Sequence, residues 1–318
     1  MQNTYLQNVI GQDAVKKEMS LWLSAYKETK YLPHMLLEAE KGNGKSHLAR
    51  EIAIELGKPF LTVSSADIKN VDLLISVLGD YQGQEVTFFF DECHGIKNSR
   101  VIDALLVILE PTMSRKTSFS TADMTANFDF TKQTFLFATT ETQELFEPFK
   151  DRMERFQLKS YTVEELGLIV QINLKARGLA AEESTLLDIA KHTRGNARAA
   201  YKIAEKLVAY MTVKKGNFVT GEIWRGIKNQ LGLNLLGLNH HEMTALNALS
   251  EKELSLGHLA SILGLPAQAV RQDLEPHLLR HNLIEIDGKR FITQQGREYI
   301  RNLLTTIKTE SIVNHLKK

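Results

Sequence analysis

Short apolar runs alternate with helical segments through the first half of the chain. The runs lie at 34–38, 59–63, 86–90 and 134–138, and the segments with helical periodicity lie at 46–56, 71–78 and 99–110. This alternation is typical of a mostly parallel sheet covered by helices. We therefore predict an α/β core for the first half of the chain.

The pattern changes twice further along. Helical periodicity alone continues at 162–177, 182–192, 196–213 and 220–230, and again at 240–250, 255–263 and 266–280. A predicted hairpin at 283–292 follows, with Asp287 and Gly288 at its turn. Three short helices before a hairpin are typical of a winged helix-turn-helix. We predict an α/β domain at 1–159, a helical lid at 160–232 and a winged helix at 233–318.

Composition narrows the class of protein. The 318 residues are 43% hydrophobic and 24% charged, with a formal net charge of +1 and one cysteine, Cys93. The apolar runs are too short to span a membrane, and the N-terminus lacks the layout of a signal peptide. We expect a cytoplasmic protein without a membrane segment. Any contact with DNA must come from a local basic patch, because the whole chain is nearly neutral.

The stretch 39–46 follows a predicted strand and opens a predicted helix. Its spacing is typical of a loop that binds a nucleoside triphosphate, in which glycine lets backbone N–H groups approach phosphates, lysine reaches the same oxygens and serine ligates Mg²⁺. The predicted nucleotide-binding residues here are Gly42, Asn43, Gly44, Lys45, Ser46 and His47. Ala39, Glu40 and Lys41 depart from the strict pattern. Ala39 adds a Cβ at the tight turn, and the carboxylate of Glu40 repels a polyphosphate unless Lys41 or solvent offsets it.

Two carboxylates end the apolar strand 86–90. Asp91 is expected to hold Mg²⁺ together with Ser46, and Glu92 to polarise the water that attacks the γ-phosphate. The alternative is an acidic pair that only caps a loop. Cys93 and His94 follow, and we interpret both as structural, because a lone Cys-His pair lacks the spacing of a metal site.

A second polar strand end follows at residues 139 and 140. The apolar run 134–138 leads into Thr139 and Thr140, and we predict that Thr140 senses the γ-phosphate. Thr139 is the competing candidate, and an ordinary threonine at a strand end is the alternative without function.

Taken in order, these motifs resemble the RuvB-type Holliday junction branch migration motors, a branch of the AAA+ ATPases. The resemblance is carried by residues 9–12, 32–34, the phosphate loop, 91–94, 138–140, 151–152, 161–166, 193–198, 231–233, 236–238, 275–279 and 290–293. It covers nearly the whole chain, which makes it much more specific than a phosphate loop alone. It implies ATP and Mg²⁺ as cofactors, and a hexameric ring.

The resemblance also implies roles for four further residues. Arg152 would be an arginine finger that completes the ATP site of a neighbouring subunit, and Arg198 would couple the γ-phosphate to movement of the lid. Ile10 and Tyr161 would help to hold the adenine. Without the matching motifs, both arginines would be read as solvated surface residues.

Contacts with DNA and with a partner protein are harder to assign. The candidates for DNA phosphate contact are Arg271, Arg280, Lys289 and Arg290, and a solvated basic edge is the equal alternative. The family carries a hairpin with an apolar tip that docks on the junction-recognising partner, and the segment 112–131 corresponds to it. Here the segment is mostly polar, so we expect a different or diverged partner, held by Phe119, Met124 and Phe128, or else a surface loop with no partner.

Three functions are compatible with these motifs. The first is an ATP-driven, ring-forming motor that moves branched or duplex DNA in recombination or replication. The second is an AAA+ loader or remodeller of another replication or recombination protein, in a phage or mobile element. The third is a nucleotide-switched winged-helix regulator, which the Asp91-Glu92 pair and Arg152 make least favoured.

Overall fold

The structure is a computed structural model that describes residues 5–110, 116–120, 125–230 and 236–303. The chain divides into two compact units, residues 1–218 and 219–318. Across the part that the structure describes, no helix combines the length and the apolar character needed to cross a membrane.

The elements alternate as expected in the first half and become mainly helical in the second. The helices are α1 Asp13–Thr29, α2 Lys45–Leu56, α3 Val71–Gly79, α4 Ser99–Ile108, α5 Glu147–Lys150, α6 Val163–Lys175, α7 Glu183–Lys191, α8 Ala197–Lys214, α9 Gly221–Gln230, α10 His240–Glu251, α11 Leu256–Leu263, α12 Ala267–Ala269 and α13 Glu275–Arg280. The strands are β1 Met35–Glu38, β2 Phe60–Ser64, β3 Val86–Asp91, β4 Lys116–Ser120, β5 Thr125–Asp129, β6 Gln133–Thr139, β7 Glu154–Gln157, β8 Ala180–Ala181, β9 Phe218–Val219, β10 Ile284–Asp287 and β11 Lys289–Ile292. A π-helical turn, Val270–Leu274, joins α12 to α13, and residues 294–303 are helical.

A five-stranded sheet in the order β2-β3-β6-β1-β7 forms the centre of the first unit. Each neighbouring pair in it is parallel, which confirms the predicted α/β class. The sequence analysis did not predict α1 or β7. The sequence of β7 is Glu-Arg-Phe-Gln, so its only apolar side chain, Phe156, gives no recognisable strand pattern.

Alternate side chains of the strands pack on opposite faces of the sheet. On β3, Phe88 and Phe90 belong to a core that also contains apolar residues of α3 and α4. Phe89 belongs to a second core with apolar residues of α1 and α2. All three phenylalanines are 0% exposed. Each Å² of apolar surface that is buried stabilises the fold by about 25 cal/mol. Because apolar side chains are buried on both faces, the sheet is held between its helices.

The register of the parallel strands brings three chain segments to one edge of the sheet. Phe90 of β3 lies beside Phe137 of β6, and Ala138 of β6 lies beside Leu37 of β1. The phosphate loop, the acidic pair and the two threonines therefore follow strands that end side by side. In open parallel sheets, ligands bind in the crevice outside this edge.

The strands β4 and β5 form an antiparallel hairpin, in which Thr117 pairs with Phe128. Phe128 is only 7% exposed, and its ring stacks on Phe130 with centroids 5.6 Å apart. The prediction that Phe128 anchors a partner is therefore wrong, because this side chain belongs to the sheet core. Phe119 lies in β4, and Met124 falls outside the described residues.

The second unit contains helices α10 to α13 followed by the predicted hairpin. Its strands β10 and β11 are antiparallel, and Ile284 pairs with Ile292. Both isoleucines pack with leucines of α10, α11 and α13 in one apolar core. Short helices followed by a two-stranded hairpin that packs on them form a winged helix.

Arg290 is an internal residue of the winged helix. It is 6% exposed, and its Nε donates a hydrogen bond to Oε1 of the buried Glu275 at 2.7 Å. The prediction that Arg290 contacts DNA is therefore wrong, because its guanidinium joins β11 to α13. Lys289, one residue earlier, is exposed and pairs with Glu253 at 2.5 Å.

We predict that Arg290→Met destabilises the winged helix by about 3–5 kcal/mol, because it leaves Glu275 buried without its partner. Hydrogen exchange of the α13 and β11 amides in the full chain measures the loss of protection. The matched control is Lys289→Met, which removes an exposed pair and should change protection by less than about 1 kcal/mol. Equal effects of the two substitutions would contradict the structural role of Arg290.

Candidate functional site

The phosphate loop joins β1 to α2. Gly42 and Gly44 have φ of 87° and 89°, which L side chains rarely adopt, and Gly44 caps the first turn of α2. A Cβ on Gly44 would lie 2.5 Å from the Tyr161 hydroxyl. The loop therefore needs glycine at this position both for its backbone and for its neighbour, and it presents the N-terminus of a helix, which favours anions.

Lys45 is held under this loop. Its Nζ donates to the carbonyl of Ala39 at 2.9 Å and to that of Glu40 at 3.5 Å. The side chain is 6% exposed. Burial lowers the pKa of the ammonium below its usual value, and the charges of Glu92 and Asp91 oppose that shift. The buried cation is thus kept charged by the acidic pair beside it.

The acidic pair stands at the end of β3. Asp91 Oδ1 accepts the N–H of Glu92 at 3.1 Å, and burial, followed by the charge of Glu92, raises the pKa of Asp91. Oε1 of Glu92 lies 4.0 Å from Lys45 Nζ. The backbone of Glu92 is left-handed, with φ of 48°, a conformation that costs a non-glycine residue about 1–3 kcal/mol.

The two threonines after β6 have different partners. Thr140 donates its N–H at 3.1 Å and its hydroxyl at 2.9 Å to Oε2 of Glu92. Thr139 is fully buried, and its Oγ1 lies 3.0 Å from His94 Nδ1. This geometry favours Thr140 over Thr139 as the residue that acts on the reaction, although its sensing role remains a prediction.

His94 also touches the acidic pair, which the sequence analysis did not predict. Its Nδ1 lies 3.4 Å from Oε2 of Glu92, and its Nε2 lies 3.7 Å from Oε1 of Glu141. Cys93 is buried, and this burial raises the pKa of its thiol. The contact between His94 and Glu92 could have been predicted, because the two residues are close together in the sequence.

A cleft of about 650 Å³ opens above these residues, between the sheet and the lid helices α6 and α8. Its lining includes the predicted residues Ile10, Gly42, Gly44, Lys45, Ser46, His47, Asp91, Glu92, Tyr161 and Arg198. It also includes Gln7, Asn8, Lys41, Ile169, Ile172, Asn173, Ala197 and Tyr201, which the sequence analysis missed. Residues 169, 172 and 173 have helical spacing, as do residues 198 and 201, so each group lies on one face of its helix. This spacing could have indicated them as lining residues.

Three other residues predicted for the nucleotide site lie outside this cleft lining: Asn43, Thr140 and Arg152. Asn43 is 3% exposed within the loop itself. Arg152 is held at the end of α4, where its Nε donates to the carbonyl of Leu106 at 3.0 Å and its Nη2 lies 3.2 Å from Oε2 of Glu110. Its Nη1 donates to the carbonyl of Pro148 at 2.9 Å. None of these three partners lines the nucleotide cleft.

The cleft suits a nucleoside triphosphate with a divalent cation. Lys45 and Arg198 supply positive charge, the left-handed glycines bring backbone close to the ligand, and Ser46 and Asp91 supply oxygen atoms. A parallel sheet with this loop, an acidic strand end, a polar strand end and a helical lid defines a P-loop ATPase of the AAA+ class.

The comparisons with known proteins then identify the family. The family model described as "Holliday junction DNA helicase RuvB P-loop domain" matches residues 1–159, and "RuvB C-terminal winged helix domain" matches residues 235–301. The chain belongs to the RuvB family.

Relatives match along most of the chain. The "Holliday junction branch migration complex subunit RuvB" of Campylobacter jejuni strain RM1221 is 28% identical over 290 residues, which cover 88% of this chain and 85% of the relative. The protein of the same name from Campylobacter hominis is 27% identical over 304 residues, which cover 93% and 89%. The solved Thermotoga maritima RuvB Holliday junction branch migration motor is similar with a TM-score of 0.77 at 26% identity, covering 93% of this chain and 97% of that one.

We predict that Thr140→Val lowers kcat for ATP hydrolysis by about 10²-fold with little change in KM. Loss of the hydroxyl leaves only the backbone N–H as a donor from residue 140 to Oε2 of Glu92. Misplacement of a reacting group by about 1 Å has an effect of this size. Steady-state ATPase kinetics measure both constants. Thr140→Ser keeps the hydroxyl and serves as the control, and a valine variant with the kcat of the parent would show that the contact with Glu92 is unimportant.

We predict that Asp91→Asn raises the Tm of the nucleotide-free protein at pH 7. The raised pKa means that the folded state favours protonated Asp91, so this residue contributes stability at low pH that is lost as the pH rises through the folded pKa. The neutral amide avoids that loss, and its advantage should shrink as the pH is lowered. Thermal unfolding across a pH series measures the difference. An advantage that grows at low pH would show that the sign is wrong.

Proposed function

We propose that this chain is an ATP-driven, ring-forming motor that moves branched or duplex DNA. The observation that carries the proposal is the convergence of Lys45, Asp91 and Glu92 in one cleft beneath a lid that carries Arg198. Over most of its length the chain is similar to proteins named as branch migration subunits, which supports DNA as the substrate. In this proposal residues 1–159 hydrolyse ATP, residues 160–232 form the lid and residues 233–318 bind DNA.

Within one subunit, the residues of the cleft have different proposed roles. The loop amides and Lys45 bind the phosphates, Ser46 and Asp91 hold Mg²⁺, and Ile10 and Tyr161 contact the base. Bound Mg²⁺ supplies charge stabilisation to the transferring phosphoryl group. Arg198 links the phosphates to the lid, because it stands at the start of α8 and lines the cleft.

Glu92 is the proposed general base. One of its carboxylate oxygens accepts both hydrogen bonds from Thr140, so the second oxygen is left to orient and polarise a water. That second oxygen, Oε1, lies 4.0 Å from Nζ of Lys45 in the free protein. Binding of phosphate to Lys45 would then release Glu92 towards the water.

Arg152 is proposed to act on the ATP of a neighbouring subunit in a hexameric ring. Its three contacts with Leu106, Pro148 and Glu110 hold the guanidinium outside its own cleft. An arginine finger in this role accelerates hydrolysis by about 10³–10⁵-fold. The site is then incomplete in a single subunit.

The proposed DNA contacts are Arg271, Arg280 and Lys289, which would bind backbone phosphates and give salt-dependent affinity without sequence specificity. All three are exposed in the winged helix. We further propose that the hairpin of β4 and β5 receives a partner protein through Phe119 and Met124. No observation on the described residues favours the loader or the transcriptional regulator over the motor.

We predict that Arg152→Ala reduces ATP hydrolysis by about 10³-fold or more, and that Glu92→Gln reduces it to a similar extent. A mixture of the two variants should recover part of the activity, because some interfaces then combine an intact Glu92 with an intact Arg152 from the neighbour. ATPase rates with and without four-way-junction DNA measure this recovery.

The matched control for this experiment is Arg50→Ala, which removes an exposed arginine of α2 that stacks over Phe60. Its ATPase rate should equal that of the parent. Absence of recovery in the mixed sample, under conditions where particle images show rings, would contradict the shared site. A parent that neither migrates nor unwinds a junction with ATP would contradict the motor.

A further inference from the structure

Asn196 makes two different hydrogen bonds at the junction of the lid and the phosphate loop. Its Oδ1 accepts the N–H of Ala199 at 3.1 Å and so caps α8. Its Nδ2 donates to the carbonyl of Lys41 at 2.6 Å. The acceptor end of one amide thus stabilises the lid, and the donor end reaches the ATPase core.

A second hydrogen bond runs parallel to this one. The backbone N–H of Arg198 donates to the carbonyl of Gly42 at 3.3 Å. The carbonyls of Ala39 and Glu40, just before, accept from Lys45. Four consecutive carbonyls of the loop are therefore held, two by Lys45 and two by the lid.

Nucleotide binding affects the two hydrogen bonds from Lys45 and the two from the lid differently. In the proposed site the ammonium of Lys45 turns to the phosphates, so its hold on the first two carbonyls weakens. The lid contacts use donors that have no role in phosphate binding. The two lid hydrogen bonds therefore persist when nucleotide binds, and they orient the loop whose N–H groups bind the phosphates.

The direction of each carbonyl fixes the direction of the next N–H. A trans peptide unit is planar, with its C=O and N–H on opposite sides, so holding the Lys41 carbonyl sets the direction of the Gly42 N–H. Glycine itself offers little restraint, because Gly42 has no side chain and adopts φ of 87°. A Cβ there would lie 2.3 Å from Oδ1 of Asn196, which shows how closely the amide covers the loop.

We propose that Asn196 is a positioning residue that clasps the lid to the phosphate loop and makes nucleotide affinity depend on the position of the lid. The inference rests on the proposed nucleotide site and adds a role separate from that of the Arg198 side chain. Movement of the lid breaks the bond to Lys41, frees the peptide unit between Lys41 and Gly42, and weakens the grip on the phosphates.

The test compares Asn196→Ser and Asn196→Asp in the full chain. Both substitutions keep an oxygen that can cap α8, and both remove the Nδ2 amide that donates to Lys41. The aspartate offers no donor at all, and the serine offers only a hydroxyl on a shorter side chain. We expect the Kd for Mg·ADP, measured by calorimetry, to rise about 5- to 10-fold in both variants. Amide exchange of residues 41–44 without nucleotide should become faster, while the Tm stays close to that of the parent.

The matched controls are Asn239→Ser and Asn239→Asp. Asn239 caps α10 in the same way, by accepting the N–H of Glu242 at 2.9 Å, but it belongs to the winged-helix unit. Neither control should change the Kd. This comparison separates the effect of the contact with Lys41 from the effect of altering a helix cap.

Three results would overturn the inference alone while the parent still binds Mg·ADP. The first is a parent-like Kd in both Asn196 variants. The second is a rise in Kd only for the aspartate, which would mean that added negative charge is the cause. The third is a rise in Kd that the Asn239 controls share. A parent that binds no nucleotide would overturn the proposed function together with this inference.

Discussion

The parallel register of β3, β6 and β1 determines where the phosphate loop, the acidic pair and Thr140 stand in the candidate site. Each strand runs in the same direction, and the three end beside one another. Residues about 50 positions apart along the chain, such as Lys45, Glu92 and Thr140, therefore meet at one edge of the sheet. The register is itself held by the alternation of phenylalanines between the two faces, because a shift by one residue would move each ring to the opposite core.

The charges at this edge are mutually dependent. Lys45 is a buried cation that would lose its proton more readily without Asp91 and Glu92, and Asp91 is a half-buried carboxyl whose ionisation the charge of Glu92 disfavours. The buried cation thus stands close to two carboxyl groups, and the charge of Arg198 also acts on Asp91. In the proposed site, a ligand that brings negative phosphates together with a divalent cation would stabilise both groups, because its phosphates would meet Lys45 and its cation would meet Asp91.

Much of the fold could be predicted from the sequence, because periodicity and turn residues act locally. The apolar strands, the glycine loop and the order of helices and hairpin all follow from short-range patterns, and the family resemblance gave their arrangement. The elements that were missed are α1, α5, the helix at 294–303 and the short strands β7, β8 and β9. The four residues of β7 pair with β1, and only that tertiary pairing makes a strand of a segment with one apolar side chain.

The side chains of the candidate site were harder to predict where a distant residue decides their environment. Arg290 looks like an exposed wing residue until Glu275, on another element, makes it an internal ion pair. Phe128 looks like a hairpin anchor until Phe130 and the sheet core cover it. Asn196 reads as an ordinary helix cap, and its second contact with Lys41 depends on how the lid packs on the core. By contrast, Lys45, Asp91, Glu92 and Arg198 were identified as cleft residues in advance, because their motif spacing encodes the position directly, and their chemical roles remain predictions.

The left-handed backbone of Glu92 has a consequence for how this position tolerates change. Glycine or asparagine would fit a φ of 48° with less strain than glutamate does. Substitution by either should therefore make the folded chain more robust while removing its carboxylate. In the proposed mechanism, stability and turnover therefore place opposite demands on this residue, and a search for more stable variants would tend to select inactive ones here.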